Sequence, residues 1–218
     1  MTTLWNFGSC DPRFGFQYPG RIPGQVVLNT LYYFTDPNDL IVDPFGGSGT
    51  TLDACRHLGR RCLAYDLEPA RDDIVCHDIS LGFSKETQGC DLIFLDPPYW
   101  RQKRGKYTKK EGSFSEASLE EFNNKMEKLI RDSYDTVKPG GTIALLIQNT
   151  TELGSEIDRI GKIYADHVFG CYDSLVKEGF IPVQRINIPL PWEQFAVEDP
   201  VFSGINHEEG LGLTLSKS

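Results

Sequence analysis

The chain reads as an α/β protein, a doubly wound and mostly parallel sheet with helices on both faces, and three observations predict this. Short apolar runs of strand length alternate with amphipathic stretches of helix length. Several strand-like runs end on an aspartate: Leu40-Ile41-Val42 on Asp43, Arg61–Tyr65 on Asp66, and Leu92-Ile93-Phe94-Leu95 on Asp96. No internal repeat, low-complexity tract or linker divides the chain, and its 218 residues suit a single domain over 1–218 with a sizeable core.

Residues 1–23 are rich in Gly, Pro and aromatics (Trp5, Phe7, Phe14, Phe16, Tyr18) and read as an irregular arm. From Gly24 to Phe34, Val26, Val27, Leu28, Leu31, Tyr32 and Phe34 fit an amphipathic helix. Asp36-Pro37-Asn38-Asp39 is a turn signal before the first strand. Pro44-Phe45-Gly46-Gly47-Ser48-Gly49 forms a glycine-rich turn, and Thr50 to Leu58 a helix stopped by Gly59. The second strand follows at Arg61–Tyr65, a weaker third around Asp73–Cys76 ends near Asp78, and Asp91–Leu95 is the fourth.

Residues 100–117 are polar and loop-like. Ser118 and Glu121 form a capping box for a helix reaching about Val137, which Lys138-Pro139-Gly140-Gly141 breaks before the strand Thr142–Ile147. Ile157, Ile160, Ile163, Tyr164, Val168, Tyr172, Leu175 and Val176 keep helical spacing, closed by Gly179. Val183–Ile188 reads as a strand, and Leu211–Leu215 as a short last one in the tail 189–218.

The net charge of -9 is the wrong sign for bulk attraction to nucleic acid, so any such contact must be local. Six scattered cysteines with no Cys-x-x-Cys pair argue against a disulfide scaffold or a zinc site, and no metal is expected. The polar start, Met1 to Gly8, lacks a signal-peptide pattern and no apolar run has membrane length. A cytoplasmic protein is the simplest expectation.

Strand, acid, glycine-rich turn, helix is an order with a physical logic. Glycines admit close approach of a ligand to the backbone, and the helix start offers unpaired N–H groups. A phosphate loop would need a lysine after Gly49, where Thr50-Thr51 stands, and the spacing of Gly46, Gly47 and Gly49 is not the dinucleotide pattern. Asp43 would repel a pyrophosphate and suits a ligand with a positive amino group. S-adenosylmethionine is such a ligand. Asp66, with Leu67 behind it, stands where an acid accepts ribose hydroxyls, and Asp78 where one meets an adenine amine.

Asp96-Pro97-Pro98-Tyr99 follows the fourth strand, at the end where open α/β sheets bind ligands. The prolines forbid continuation of the strand and stiffen the turn. Asp96 and the Pro97 carbonyl can accept the hydrogens of an exocyclic amine, whose lone pair is then freed for attack on a methyl group. Tyr99 would stack on the base, which must first leave the duplex.

With Asp43-Pro44-Phe45-Gly46-Gly47-Ser48-Gly49-Thr50 and Asp96-Pro97-Pro98-Tyr99 together, the chain resembles the S-adenosylmethionine-dependent amino-methyltransferases, which methylate adenine N6 or cytosine N4 in DNA. The resemblance covers roughly residues 19–188. It implies a class I (Rossmann-like) methyltransferase sheet of seven strands with a reversed last strand. Tyr18-Pro19-Gly20-Arg21-Ile22-Pro23-Gly24-Gln25 is similar to the family's motif that closes over the methionine end of the cofactor, which makes Pro23 a cofactor neighbour. An Asp at position 96 goes mostly with adenine in this family.

There is little chain for a separate target-recognition domain. The compact candidate for nucleic-acid contact is the basic run beside the turn: Trp100, Arg101, Lys103, Arg104, Lys106 and Tyr107, extended by Lys109-Lys110. Trp192 could line the base pocket, and His57, His77, His167 and His207 show no ligand spacing and are given no role. The expected activity is DNA adenine-N6 methylation. The alternatives are an RNA amino-methyltransferase, for example on guanine N2, and a subunit whose partner reads the target.

Overall fold

The computed structural model describes residues 4–18, 20–98, 114, 117–153, 162–189 and 209–217. Four helices, α1 (Gly24–Phe34), α2 (Thr50–Leu58), α3 (Leu119–Thr136) and α4 (His167–Glu178), flank the sheet. Its strands are β1 (Leu40–Asp43), β2 (Arg61–Asp66), β3 (Val75–Cys76), β4 (Cys90–Leu95), β5 (Val137–Ile147), β8 (Phe180–Pro189) and β9 (Glu209–Lys217). The spatial order is β3-β2-β1-β4-β5-β9-β8. The first five strands pair in parallel, and β9 runs antiparallel to both β5 and β8. The doubly wound sheet with a reversed last strand is as expected.

Alternation along the central strands fills two cores. Ile93, Leu95, Ile143, Leu145 and Ile147 point to one face, where they meet Phe122, Met126 and Ile130 of α3 and Val168, Cys171 and Leu175 of α4. Leu92, Phe94, Ala144 and Leu146 point to the other, where they meet Val27 and Leu31 of α1, Ala54 and Cys55 of α2, and Trp5, Phe14 and Ile22 of the arm. The arm is thus core-forming: the Trp5 amide donates to Asn187 O at 2.9 Å, and Phe14 is 1% exposed.

Three boundaries differ from expectation. The helix expected from Ile157 begins only at His167, because Asp166 caps it by accepting from the Phe169 amide at 3.0 Å. Ile163 and Tyr164 instead lie on β7 (Lys162–Ala165), which forms an antiparallel hairpin with β6 (Thr150–Leu153). β-branched and aromatic residues suit strands as well as a helical stripe, and here the strand wins. Ile157 and Ile160 lie outside the described residues. Secondly, Lys138–Gly141 does not precede β5 but is absorbed into it as an irregularity: Cys90 pairs with Val137, while Leu92 already pairs with Thr142. Gly140 supplies the left-handed backbone there, at φ 75°. Thirdly, the last strand is longer than Leu211–Leu215 and is wedged between β5 and β8.

Register sets the functional end. Asp43 pairs with Ala64, so Asp66 lies two residues beyond it, and Val42 pairs with Ile93, which puts Asp96 likewise two residues past the level of Asp43. Among the described residues no helix is long and apolar enough to cross a membrane.

Candidate active site

A cleft opens at the carboxyl ends of β1, β2 and β4, and all four acids singled out, Asp43, Asp66, Asp78 and Asp96, line it. Pro97 and Pro98 line it too, beside Phe94, so the turn after β4 and the turn after β1 share one cavity.

The glycine turn is built by its own backbone. The Gly46 amide donates to Tyr65 O at 2.7 Å, which binds the turn to β2, and the Gly49 amide donates to Gly46 O at 2.7 Å. Gly47 (φ 46°) and Gly49 (φ 82°) sit in left-handed conformations that side chains resist. Gly49 caps α2, so the first amides of that helix face the turn.

Asp43 is 3% exposed; its Oδ1 accepts from the Phe45 amide at 2.9 Å, and Thr51 also hydrogen-bonds to it. Burial raises its pKa to about 6, against these two hydrogen bonds, and the nearby Asp66 raises it further. A buried acid that ionises reluctantly is a site built for a cation. Asp66 accepts the Gly47 amide on Oδ2 and the Glu68 amide on Oδ1, both at 2.9 Å. Each oxygen keeps a lone pair for a further donor such as a hydroxyl. Asp78 uses Oδ1 to cap the short turn at Ile79–Leu81 by accepting from the Ser80 amide at 2.9 Å.

Pro44, Phe45, Gly46, Gly47, Ser48 and Thr50 line the cleft, as does Leu67. Two expected cofactor neighbours stand back from it. Pro23 is the buried cap of α1, although Tyr18, Gly20, Arg21 and Ile22 just before it do form a wall. Gly49 faces the Arg71 side chain, which a Cβ there would strike. Tyr99, Trp100, Arg101, Lys103, Arg104, Lys106 and Tyr107, with Lys109, Lys110 and Trp192, lie outside the described residues.

Sequence reasoning did not single out Thr51, Glu68, His77, Ile79 and Phe114, which also line the cleft. Phe114 is 5% exposed and packs edge-on against Phe45 at 5.5 Å and Phe122 at 6.0 Å, so it joins the glycine turn to α3. Its one sequence signal was an aromatic ring in a polar stretch. His77, given no role above, reaches the cleft with Nε2 2.7 Å from Gly82 O. Among the described residues no cluster of three or more His, Cys, Asp or Glu could hold a metal ion.

Comparison with known proteins agrees with this geometry. Residues 2–75 match the DNA methylase family of N6 and N4 methyltransferases. Over 64 residues the chain is 36% identical to the Type II methyltransferase M.BglII of Bacillus subtilis, a match covering 29% of this chain and 17% of that protein. Both findings support the DNA amino-methyltransferase family, on the segment that carries the glycine turn. Among solved structures, the 1,6-didemethyltoxoflavin-N1-methyltransferase of Burkholderia thailandensis, bound to S-adenosylhomocysteine, superposes with a TM-score of 0.57 at 12% identity, over 89% of this chain and 78% of that one. TrmN from Thermus thermophilus gives 0.54 at 18% identity, over 89% of this chain and 48% of that one. A TehB-like methyltransferase from Corynebacterium glutamicum gives 0.52 at 13% identity, over 88% and 87%. The fold is that of the class I S-adenosylmethionine-dependent methyltransferases, and fold and family together support S-adenosylmethionine as the cofactor.

Proposed function

We propose that this protein transfers a methyl group from S-adenosylmethionine to the exocyclic N6 amine of adenine in DNA. The observation that carries the reading is the meeting of Asp43, the glycine turn and Asp96 in a single cleft. The donor set fits the cofactor: a buried acid for an ammonium, a second acid with spare lone pairs for ribose hydroxyls, and no lysine in the turn for a phosphate. Asp43 would hold the amino group, Asp66 the ribose and Asp78 the adenine, while Tyr18, Arg21 and Ile22 of the arm cover the methionine end.

When bound, the cofactor supplies an electrophilic methyl group. The chain's own work is on the acceptor. Asp96 and the carbonyl of Pro97 accept the two hydrogens of the amine, which draws the nitrogen toward tetrahedral geometry and exposes its lone pair. The nitrogen sheds one proton as it gains the methyl group, and Asp96 is placed to guide that proton out. No covalent nucleophile is required. The basic run from Arg101 gives an acidic protein a local hold on the phosphate backbone. Its brevity favours a minimal recognition element or a partner subunit that reads the target.

Incubation with methyl-labelled cofactor and either DNA or RNA tests the reading. Label in DNA, lost in Asp96→Ala, is the expected result. Label in RNA alone transfers the same chemistry to an RNA amine, such as guanine N2, and overturns the DNA assignment.

A further inference from the structure

Arg71 lies outside every motif read from the sequence, yet it is the most heavily engaged cation beside the cleft. Its guanidinium is one-fifth exposed and forks onto Asp53, donating from Nη1 to Oδ2 at 2.9 Å and from Nη2 to Oδ1 at 3.1 Å. The same group grips Asp73, from Nε at 2.9 Å and Nη2 at 2.7 Å. Its Nη1 also lies 3.3 Å from the Ser48 carbonyl, inside the glycine turn. Asp53, in the first turn of α2, accepts the Gly15 amide of the arm on Oδ2 at 2.8 Å. Gly15 rests on the turn so closely that a Cβ there would come within 2.5 Å of Ser48 Oγ and 2.6 Å of Thr50 Oγ1.

Three walls of the cleft meet in this cluster: the glycine turn, the loop after β2 that carries Asp66 to Glu68, and the arm that carries Tyr18 to Ile22. They come from distant parts of the chain, and no strand pairing joins the arm to the other two. We infer that Arg71 is a positioning residue for the cofactor, acting through Asp53 to latch the arm and the loop onto the glycine turn. This rests on the cofactor reading above. Arginine is required because one planar fork serves two carboxylates and a carbonyl at once, which the single ammonium of lysine cannot do.

The test is calorimetric titration of S-adenosylhomocysteine into wild type, Arg71→Ala, Arg71→Lys, Asp53→Asn and the Arg71→Ala/Asp53→Asn double variant, with thermal melts of each unliganded protein. The expected result is an affinity loss of about tenfold for Arg71→Ala and for Asp53→Asn, as for removal of one partner of a charge pair worth about 1.4 kcal/mol. The double variant should lose little more than either single one, because the two act as a unit. Arg71→Lys, the variant surest to fold, should recover only part of the loss, and in turnover the loss should fall on KM for the cofactor rather than on kcat. Variants that melt lower yet bind as tightly as wild type overturn the inference and leave the cofactor reading intact. A wild-type protein that binds no S-adenosylhomocysteine overturns both.

Discussion

Asp43 and His167 are both buried titratable groups, 3% and 4% exposed, and they sit on opposite faces of the problem. Asp43 stands at the end of β1 in the wall of a cleft, with its pKa raised to about 6 by burial. His167 opens α4 in the core beneath β5, with Nε2 2.9 Å from Thr150 Oγ1 and the Phe122 ring 4.8 Å away, and burial lowers its pKa to about 4. Burial suppresses the charged form of each. The difference is what each faces. His167 is closed into packing and stays neutral for the sake of the fold. Asp43 borders open space, and its ionised form is costly until a cation arrives. A buried polar group is therefore informative about function only when a cavity adjoins it.

This contrast divides the molecule into a cleft side, where substitution should alter ligand chemistry, and an α3–α4 side, where it should alter stability alone. The largest expected effect is on the cleft side: Asp96→Ala should lower methyl transfer by about 10³-fold, the scale of losing one positioned acid–base group, with cofactor affinity in a titration unchanged. Next, Asp43→Asn should weaken cofactor binding by roughly 100-fold, the worth of a charge-assisted contact of about 2.7 kcal/mol. The same variant should raise the unliganded melting temperature at pH 7 by several degrees, at about 2–4 °C per kcal/mol for a chain of this size. Binding that weakens without any gain in melting temperature would break the picture of Asp43 as a costly buried acid.

The pH dependences have opposite signs. The pKa of Asp43 in the fold, about 6, lies above its unfolded value, so the folded state holds more protons through that window. Its contribution to stability falls as pH rises from about 4 to about 6. The pKa of His167 in the fold, about 4, lies below its unfolded value near 6.5, so its contribution is intact at neutral pH and is lost as pH falls through that window. Denaturant titrations from pH 4 to pH 7 should show Asp43→Asn lacking the first slope and His167→Gln lacking the second. Cofactor affinity should also decline below about pH 6 in wild type, as Asp43 protonates. The smallest effect is remote from both groups. Ser118→Ala removes the cap that accepts the Glu121 amide at 3.2 Å, and should cost about 1 kcal/mol in chemical denaturation with cofactor affinity unmoved.

What was legible in the sequence was local. The run from Leu40 to Leu58 encodes strand, acid, turn and helix in consecutive residues, and the capping box at Ser118 and Glu121 likewise needs only three positions of separation. The reversed strand was legible only through the family resemblance, because the place of β9 between β5 and β8 depends on pairing across distant segments. The stretch ahead of α4 was misread because Ile163 and Tyr164 serve a helix stripe or a strand equally well. Arg71 and Phe114 carried no motif: their meaning lies in partners such as Asp53, Gly49 and Phe45, which only the folded chain brings near. The arm is an intermediate case. Its similarity to a cofactor-covering motif drew attention to Pro23, but the wall of the cleft is made by Tyr18, Gly20, Arg21 and Ile22 just before it.

The most direct test of the central claim is nucleoside mass spectrometry of unmethylated DNA after incubation with the protein and S-adenosylmethionine, run beside Asp96→Ala. The account predicts N6-methyladenine in the wild-type digest and none with the variant. Wild-type protein that binds the cofactor but leaves every DNA base unmodified, alone and with its native partners present, would contradict it.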